Sequence, residues 1–275
     1  MNFIRVFDNG ILPALTTTLK EEEGFTNLQI GSLGSLVYMG EVTGSIIAMP
    51  VYQKVPVKIV LLACIVLQSV SILGFAFSNG IYEVMALSRF FTGVFQVFIS
   101  IFAPIWCDTY APDDKKTTWI TSLMVATPGG IVTGYLLTAV IISTGGPWEI
   151  SFFLQVFFLI PIAIYIVSID HQYLSLVIQE NPVEEQETEE QKNKISKLNA
   201  NDKKQRIFHR LYLERMRVES VKTANYSFRQ NLSYLLCRGD FMSVLFTLTT
   251  LFLVMSGLQY WITDYVVSVL GHSKE

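Results

Sequence analysis

The 275-residue chain is 51% hydrophobic and only 16% charged, with a mean hydropathy of +0.42, where a soluble domain carries about a quarter charged residues. A net charge of −3 and a pI near 5.7, with no basic face interleaved with aromatics, exclude nucleic acid as a partner. Cys64, Cys107 and Cys237 lie far apart in or beside apolar stretches without zinc-ligand spacing, so they read as buried free thiols and no metal is expected.

Apolar segments run Asn2 to Leu15, Ile30 to Tyr52, Val57 to Phe77, Ile81 to Trp106, Thr117 to Ser143, Trp148 to Ile169 and Phe241 to Leu270. A bilayer span takes about 20 apolar residues, because a helix pairs internally the backbone groups that hydrocarbon cannot hydrate. Six segments meet that length. The first, about 14 residues before the polar run Thr16 to Glu23, would cover only about 21 Å and is expected to be short. The N-terminus enters apolar residues at once, with a lone Arg5 and no small-residue cleavage site, so insertion is expected to rest on the helices themselves. The fold expected is an all-α membrane protein, integral and multi-pass, with no catalytic residues and no cofactor, since no nucleophile–base pair or phosphate-cradling loop is present.

Ser78-Asn79-Gly80 and Ser143 to Pro147 read as tight turns that make their flanking spans antiparallel. The reading divides the chain into a six-helix transmembrane half over 1–169, a polar linker over 170–240 and a seventh helix over 241–270. Within the linker Glu184 to Glu190 is acidic, and twelve of the twenty Lys and Arg residues lie between Lys192 and Arg238. By helix count Lys54 and Lys58, Lys115 and Lys116, and the linker fall on one face, which the positive-inside bias places in the cytoplasm. Two corollaries are unglycosylated sequons at Asn225 and Asn231, and a basic helix over Lys203 to Val221 that either lies on an anionic inner leaflet or packs, solvated, under the bundle.

Charges at bilayer depth are costly and are usually paired or line a cavity. Asp8, Glu41 near the midplane of the second segment, and Arg89 about 12 Å into the fourth are therefore candidates for a solute or ion pathway through a shared central cavity. The competing reading is a buried carboxylate–Arg pair that only fixes helix register. Asp264, near a span end, is set aside. Pro128-Gly129-Gly130 and Gly134 strip donors and side chains from the fifth span, which suits close packing with a bend, either static or as part of a rocking motion. The aromatics Phe152, Phe153, Phe157 and Phe158 read as lipid-facing or core.

Several motifs resemble the major facilitator superfamily, and within it most the spinster-type carriers. Asp8-Asn9-Gly10-Ile11-Leu12-Pro13 is similar to the end of that family's first helix. Ser88-Arg89-Phe90-Phe91-Thr92-Gly93 resembles the R-x-x-x-G signature of its fourth. The run from Ala103-Pro104 through Asp108, Pro112 and Lys116 to Gly134-Tyr135 resembles its fourth-to-fifth helix region, and Asn231-Leu232-Ser233 with Gly257, Tyr260 and Trp261 its seventh helix.

The resemblance implies a twelve-helix bundle of which about seven helices are here, so a partial sequence or truncated gene model is expected. It further implies a secondary transporter moving a small organic solute across a lipid bilayer, with Asp8, Arg89, Gln96, Tyr260 and Trp261 on the pathway; Glu41, which has no clear counterpart in the family, joins them on its depth alone. Gly93, Asp108, the Pro128 to Gly134 run, Lys54 and Lys58 then serve packing or gating. Two departures bear on mechanism: Gln53 stands where the family's loop after helix two resembles an acid, and Gln96 stands where spinster-type carriers resemble G-x-G-E. An amide cannot accept and release a proton as a carboxyl does, which leaves the coupling ion open. The rival expectation is a non-transporting scaffold that works through its cytoplasmic linker.

Overall fold

The computed structural model describes residues 1–112, 114–170, 174 and 228–268. Those residues fall into two compact units, one within 1–178 and 256–275, the other within 179–255. The basic segment over 203–221 and the sequon at 225–227 lie outside the described residues. Among the described residues there is no strand.

Three short pieces, α1 (Asn2–Arg5), α2 (Asp8–Ala14) and α3 (Thr16–Glu22), follow one another as a single broken helix. Then come α4 (Asn27–Lys54), α5 (Val57–Ala76), α6 (Tyr82–Tyr110), α7 (Lys116–Ser143) and α8 (Glu149–Ser168). Further along the chain α9 (Phe228–Leu236) precedes α10 (Gly239–Ser268). Each of α4 to α8, and the Gly239–Ile262 stretch of α10, is long and apolar enough to cross a membrane.

The first helix departs from the expectation that it stops short. The polar run after Leu15 carries on as α3, with Thr16 and Leu19 fully buried, and the whole stretch rises roughly 30 Å at 1.5 Å per residue. Its hydroxyls can be buried because they are satisfied locally: Thr16 Oγ1 donates to the Pro13 carbonyl at 3.1 Å. Likewise α9 is helical within the stretch read as linker, and the last span begins at Gly239, two residues early.

Local signals fix the ends of the other helices. Thr26 and Gln29 form a capping box at the start of α4, the Gln29 amide N–H donating to Thr26 Oγ1 and Gln29 Oε1 accepting from the Thr26 amide. The turn between α5 and α6 places Asn79 and Gly80 at positive φ, and that between α7 and α8 does so with Gly145, the left-handed backbone that such turns need.

The interior is inverted relative to a soluble protein. Arg5, Asp8, Gln68, Arg89, Gln96 and Gln155 are buried, while Val42, Val66, Leu136, Phe157 and Ile164 stand exposed on the long helices. In water that surface would aggregate; in hydrocarbon it is the lipid face. Of the four phenylalanines of α8, Phe152 is core, its ring tilted against Phe75 at 4.8 Å, whereas Phe153, Phe157 and Phe158 point outward.

Close backbone approach ties the bundle together in two pairs. A Cβ on Gly134 would run into the Phe7 carbonyl, one on Gly130 into that of Phe3, and one on Gly10 into that of Ile131, so the first helix lies directly on α7. Gly40 and Gly93 do the same for α4 and α6, against the carbonyls of Phe90 and Val37. Gly134→Ala is expected to destabilise the detergent-solubilised protein by about 1–3 kcal/mol, because backbone must move to admit the methyl. Gly257→Ala, where nothing lies within 4 Å, is expected to leave it unchanged. A fluorescence thermal melt compares the two.

Candidate functional site

Breaking a helix inside hydrocarbon releases carbonyls that need donors, and here glutamine side chains from three other helices supply them. Pro13 has no N–H to give the carbonyl of Asn9, four residues back; Gln259 Nε2 of α10 donates to it instead at 2.8 Å. At the α1–α2 break the Asn9 amide turns to the Val6 carbonyl at 3.1 Å, leaving the Arg5 carbonyl free to accept from Gln68 Nε2 of α5 at 3.2 Å. Gln155 Nε2 of α8 reaches the Ile4 carbonyl at 3.1 Å and also Asp8 Oδ1 at 3.2 Å.

On this irregular backbone sit two charged side chains three positions apart: Asp8 faces Arg89 of α6, and Arg5 faces Glu41 of α4, which is itself bonded to Gln96 of α6. Arg89 and Gln96 are seven residues apart, two turns, and so point the same way about 10 Å apart along the axis. The lower-numbered position makes the tight contact. Arg89 Nη1 donates to Asp8 Oδ2 at 2.7 Å, with the two side chains 2% and 0% exposed. Arg89 also donates through Nη2 to Asn9 Oδ1 and through Nε to the Leu33 carbonyl, each at 3.5 Å, and its guanidinium lies 6.0 Å from the Phe75 ring. With Gln155 on the other carboxylate oxygen, both charges are compensated, which is the condition for keeping such a pair out of water.

The second layer is looser. Arg5 Nη1 stands 4.0 Å from Glu41 Oε1, and Arg5 Nε donates to Asn2 Oδ1 at 3.1 Å. Gln96 Nε2 donates to the same Glu41 oxygen at 2.8 Å. The Glu41 side chain keeps 29% of its surface accessible, against none for Asp8.

Asp8, Glu41, Arg89 and Gln96 thus come together, but as two separate layers: Asp8 and Arg89 pair directly across no open space, and Glu41 joins Arg5. Tyr260 is buried with its ring in the notch left by Gly34, and Trp261 is partly exposed with Lys20 Nζ 6.0 Å above its ring. Both border a cavity of about 180 Å3 between α4 and the end of α10, with Gly31, Ser35, Tyr38 and Gly257. The remaining candidates lie elsewhere. Asp108 and Lys116 form a 2.6 Å pair at the surface, Lys58 Nζ caps the end of α8 by donating to the Val167 and Ile169 carbonyls at 2.7 and 2.6 Å, and Lys54 is exposed. Gly129 meets only the Phe3 ring, at 3.3 Å from its virtual Cβ, and Pro128 sits within the continuous α7. Asn9, Gln68, Gln155 and Gln259 were not singled out by sequence, and Arg5 only as a lone N-terminal charge. Attention to formal charge passed over the amides, although one glutamine inside each of four apolar spans is itself an expense that calls for a partner.

A broken helix held by amides, buried ion pairs and a lipid-facing exterior define an integral, multi-pass membrane protein of the transporter class. A sequence model of the Major Facilitator Superfamily matches residues 1–275, and the chain belongs to that family, whose members are transmembrane transporters rather than enzymes. No curated protein matches the chain.

The Pro13–Gln259 relation is testable by non-additivity. Gln259→Leu is expected to cost about 1 kcal/mol, a melting shift of about 2–4 °C, by orphaning the Asn9 carbonyl. In a Pro13→Ala background, where residue 13 regains its N–H, the same change is expected to cost almost nothing.

Proposed function

We propose that the chain is a secondary carrier that moves a small organic solute by alternating access, along a path bordered by the first helix, α4, α6, α7 and the end of α10. The observation that carries this reading is the pair of buried guanidiniums, Arg5 and Arg89, both answered by side chains of the broken first helix or its neighbour α4. Two cations at bilayer depth, one of them, Arg5, held by a partner 4.0 Å away, are suited to an anionic group such as a carboxylate or phosphate. Arg89 anchors the first helix to α6 through Asp8, and Tyr260 and Trp261 flank the path on α10.

Kinship to spinster-type carriers is part of this proposal, resting on Ser88 to Gly93, and it favours amphipathic or lipid-like solutes. The basic turns at Lys54–Lys58 and Lys115–Lys116 favour the cytoplasm for their end of the bundle and for the polar linker. Close packing through Gly93, Gly130 and Gly134 supports a group of helices that moves as one body, α7 packed on the first helix, α6 on α4, and the Asp8–Arg89 pair joining the two.

Uptake into proteoliposomes across a panel of labelled organic anions and neutral solutes tests the reading. Saturable uptake by the wild type is expected, reduced at least about tenfold by Arg89→Ala, which leaves Asp8 as an uncompensated buried charge, and partly retained by Arg89→Lys. Saturable wild-type uptake that Arg89→Ala does not change would remove Arg89 from the path. A well-folded wild type that moves none of the panel would favour a scaffold acting through its linker.

A further inference from the structure

Among the described residues two carboxylates, Asp8 and Glu41, meet buried cations at the broken first helix, and their surroundings differ in kind. Asp8 has a donor on each oxygen, one of them a guanidinium at 2.7 Å, and its side chain is wholly enclosed. Both of its oxygens are committed to partners that hold α6 and α8 against the first helix. Glu41 has one amide bond, a cation at 4.0 Å and a partly accessible side chain.

Its amide partner is equipped for both protonation states. Gln96 is fully buried, and while its Nε2 donates to Glu41, its Oε1 has no hydrogen-bond partner among the described residues; Gln155 beside Asp8 has an unpartnered Oε1 too, but its Nε2 also holds the Ile4 carbonyl, so turning that amide would release the backbone. An orphaned acceptor beside a carboxylate is costly unless something will use it. A half-turn of the amide exchanges the two atoms, so that Oε1 accepts from a protonated Glu41 where Nε2 had donated to the ionised one. The position that resembles the coupling acid of spinster-type carriers therefore holds the amide, and the acid itself stands opposite it on α4.

The groups around Glu41 are accounted for on each side. From the first helix come Arg5 and Asp8, from its own helix Tyr38 one turn earlier, and from α6 Gln96; Arg89 and Tyr260 in turn neighbour Tyr38. Arg5 is the one cation whose partner is lost when Glu41 is neutralised.

We propose that Glu41 is the carboxylate that carries the coupling proton, with Gln96 as its two-state hydrogen-bond partner and Arg5 as the cation its protonation frees for an anionic solute. This rests on the carrier reading above. A proton from the entry side adds to a Glu41 oxygen, the Arg5–Glu41 ion pair is replaced by Arg5 and the solute anion, and the Asp8–Arg89 pair stays intact. One proton and one negative charge cross together. On the far side the solute leaves, the proton returns to water and the Arg5–Glu41 pair re-forms.

Infrared difference spectra of the full chain in lipid nanodiscs, recorded between about pH 8 and 6, decide the assignment without any solute, because exposed carboxylates titrate near pH 4 and contribute little there. The expected result is a carbonyl stretch of a protonated carboxylic acid that Glu41→Gln abolishes, Asp8→Asn leaves in place, and Gln96→Leu moves to higher frequency by removing the acceptor. A band that survives Glu41→Gln, or one that vanishes in Asp8→Asn, overturns the proposal. In proteoliposomes given labelled lactate, pyruvate and gluconate as probes, each carrying one negative charge, a transported probe is expected to accumulate up to about tenfold per unit of pH gradient in the wild type, one proton per unit being worth about 1.4 kcal/mol. In Glu41→Gln it is expected to equilibrate without accumulating; pH-driven accumulation retained by that variant overturns the proposal. A wild type with the Glu41 band but no uptake of any probe counts against the carrier reading alone.

Discussion

The first helix breaks at Val6–Phe7 and again at Leu15 within a bundle whose exterior is hydrocarbon-facing, and the carbonyls so released have no water to turn to. Gln68, Gln155 and Gln259 supply donors to Arg5, Ile4 and Asn9. Much of the remaining arrangement follows. Since the donors come from α5, α8 and α10, the irregular segment is fastened on three sides. The glycines Gly10, Gly130 and Gly134 bring α7 against a fourth. A regular helix would need none of these amides, and their burial would then be a loss.

The break also explains why charge can be stored here. Asp8 begins α2 and Arg5 ends α1, so both sit where the backbone ladder is interrupted, and each meets a side chain from α4 or α6. The Asp8–Arg89 pair is tight, enclosed and fully hydrogen-bonded, whereas the Arg5–Glu41 pair is longer and partly accessible. One layer therefore holds the helices in register, and the other is free to exchange partners. Such a division suits a carrier, which must keep its shape while a charge changes hands.

Much of the bundle was legible from apolar length alone, because α4 to α8 are continuous runs that only a bilayer explains. The first helix was not: hydropathy ends at Leu15, and nothing in Thr16 to Glu22 reveals that its hydroxyls bond backwards and permit burial. The charged candidates Asp8, Glu41 and Arg89 were visible because formal charge at depth is conspicuous, yet their partition into two layers depends on Arg5, read only as an isolated N-terminal charge. Among the amides only Gln96 was singled out, and for the acid it replaces, not for its partner. Gln259 has meaning only with Pro13, nearly the whole chain away in sequence, and Gln96 only with Glu41. The packing glycines fared better: Gly93, Gly130 and Gly134 lie at close approaches, while Lys58, read as a loop charge, turns out to cap the end of α8.

The central claim, that an enclosed ion pair fastens the broken first helix to α6 as a unit, is tested most directly by a double-mutant cycle on thermal stability. Asp8→Asn, Arg89→Gln and the double variant would be melted in the same detergent. The account predicts that each single change is far more damaging than the double, with a coupling of at least about 2 kcal/mol, because each strands a buried charge that the double removes. Additive losses would contradict it, showing that the two charges are stabilised independently and that the pair does not hold the helix.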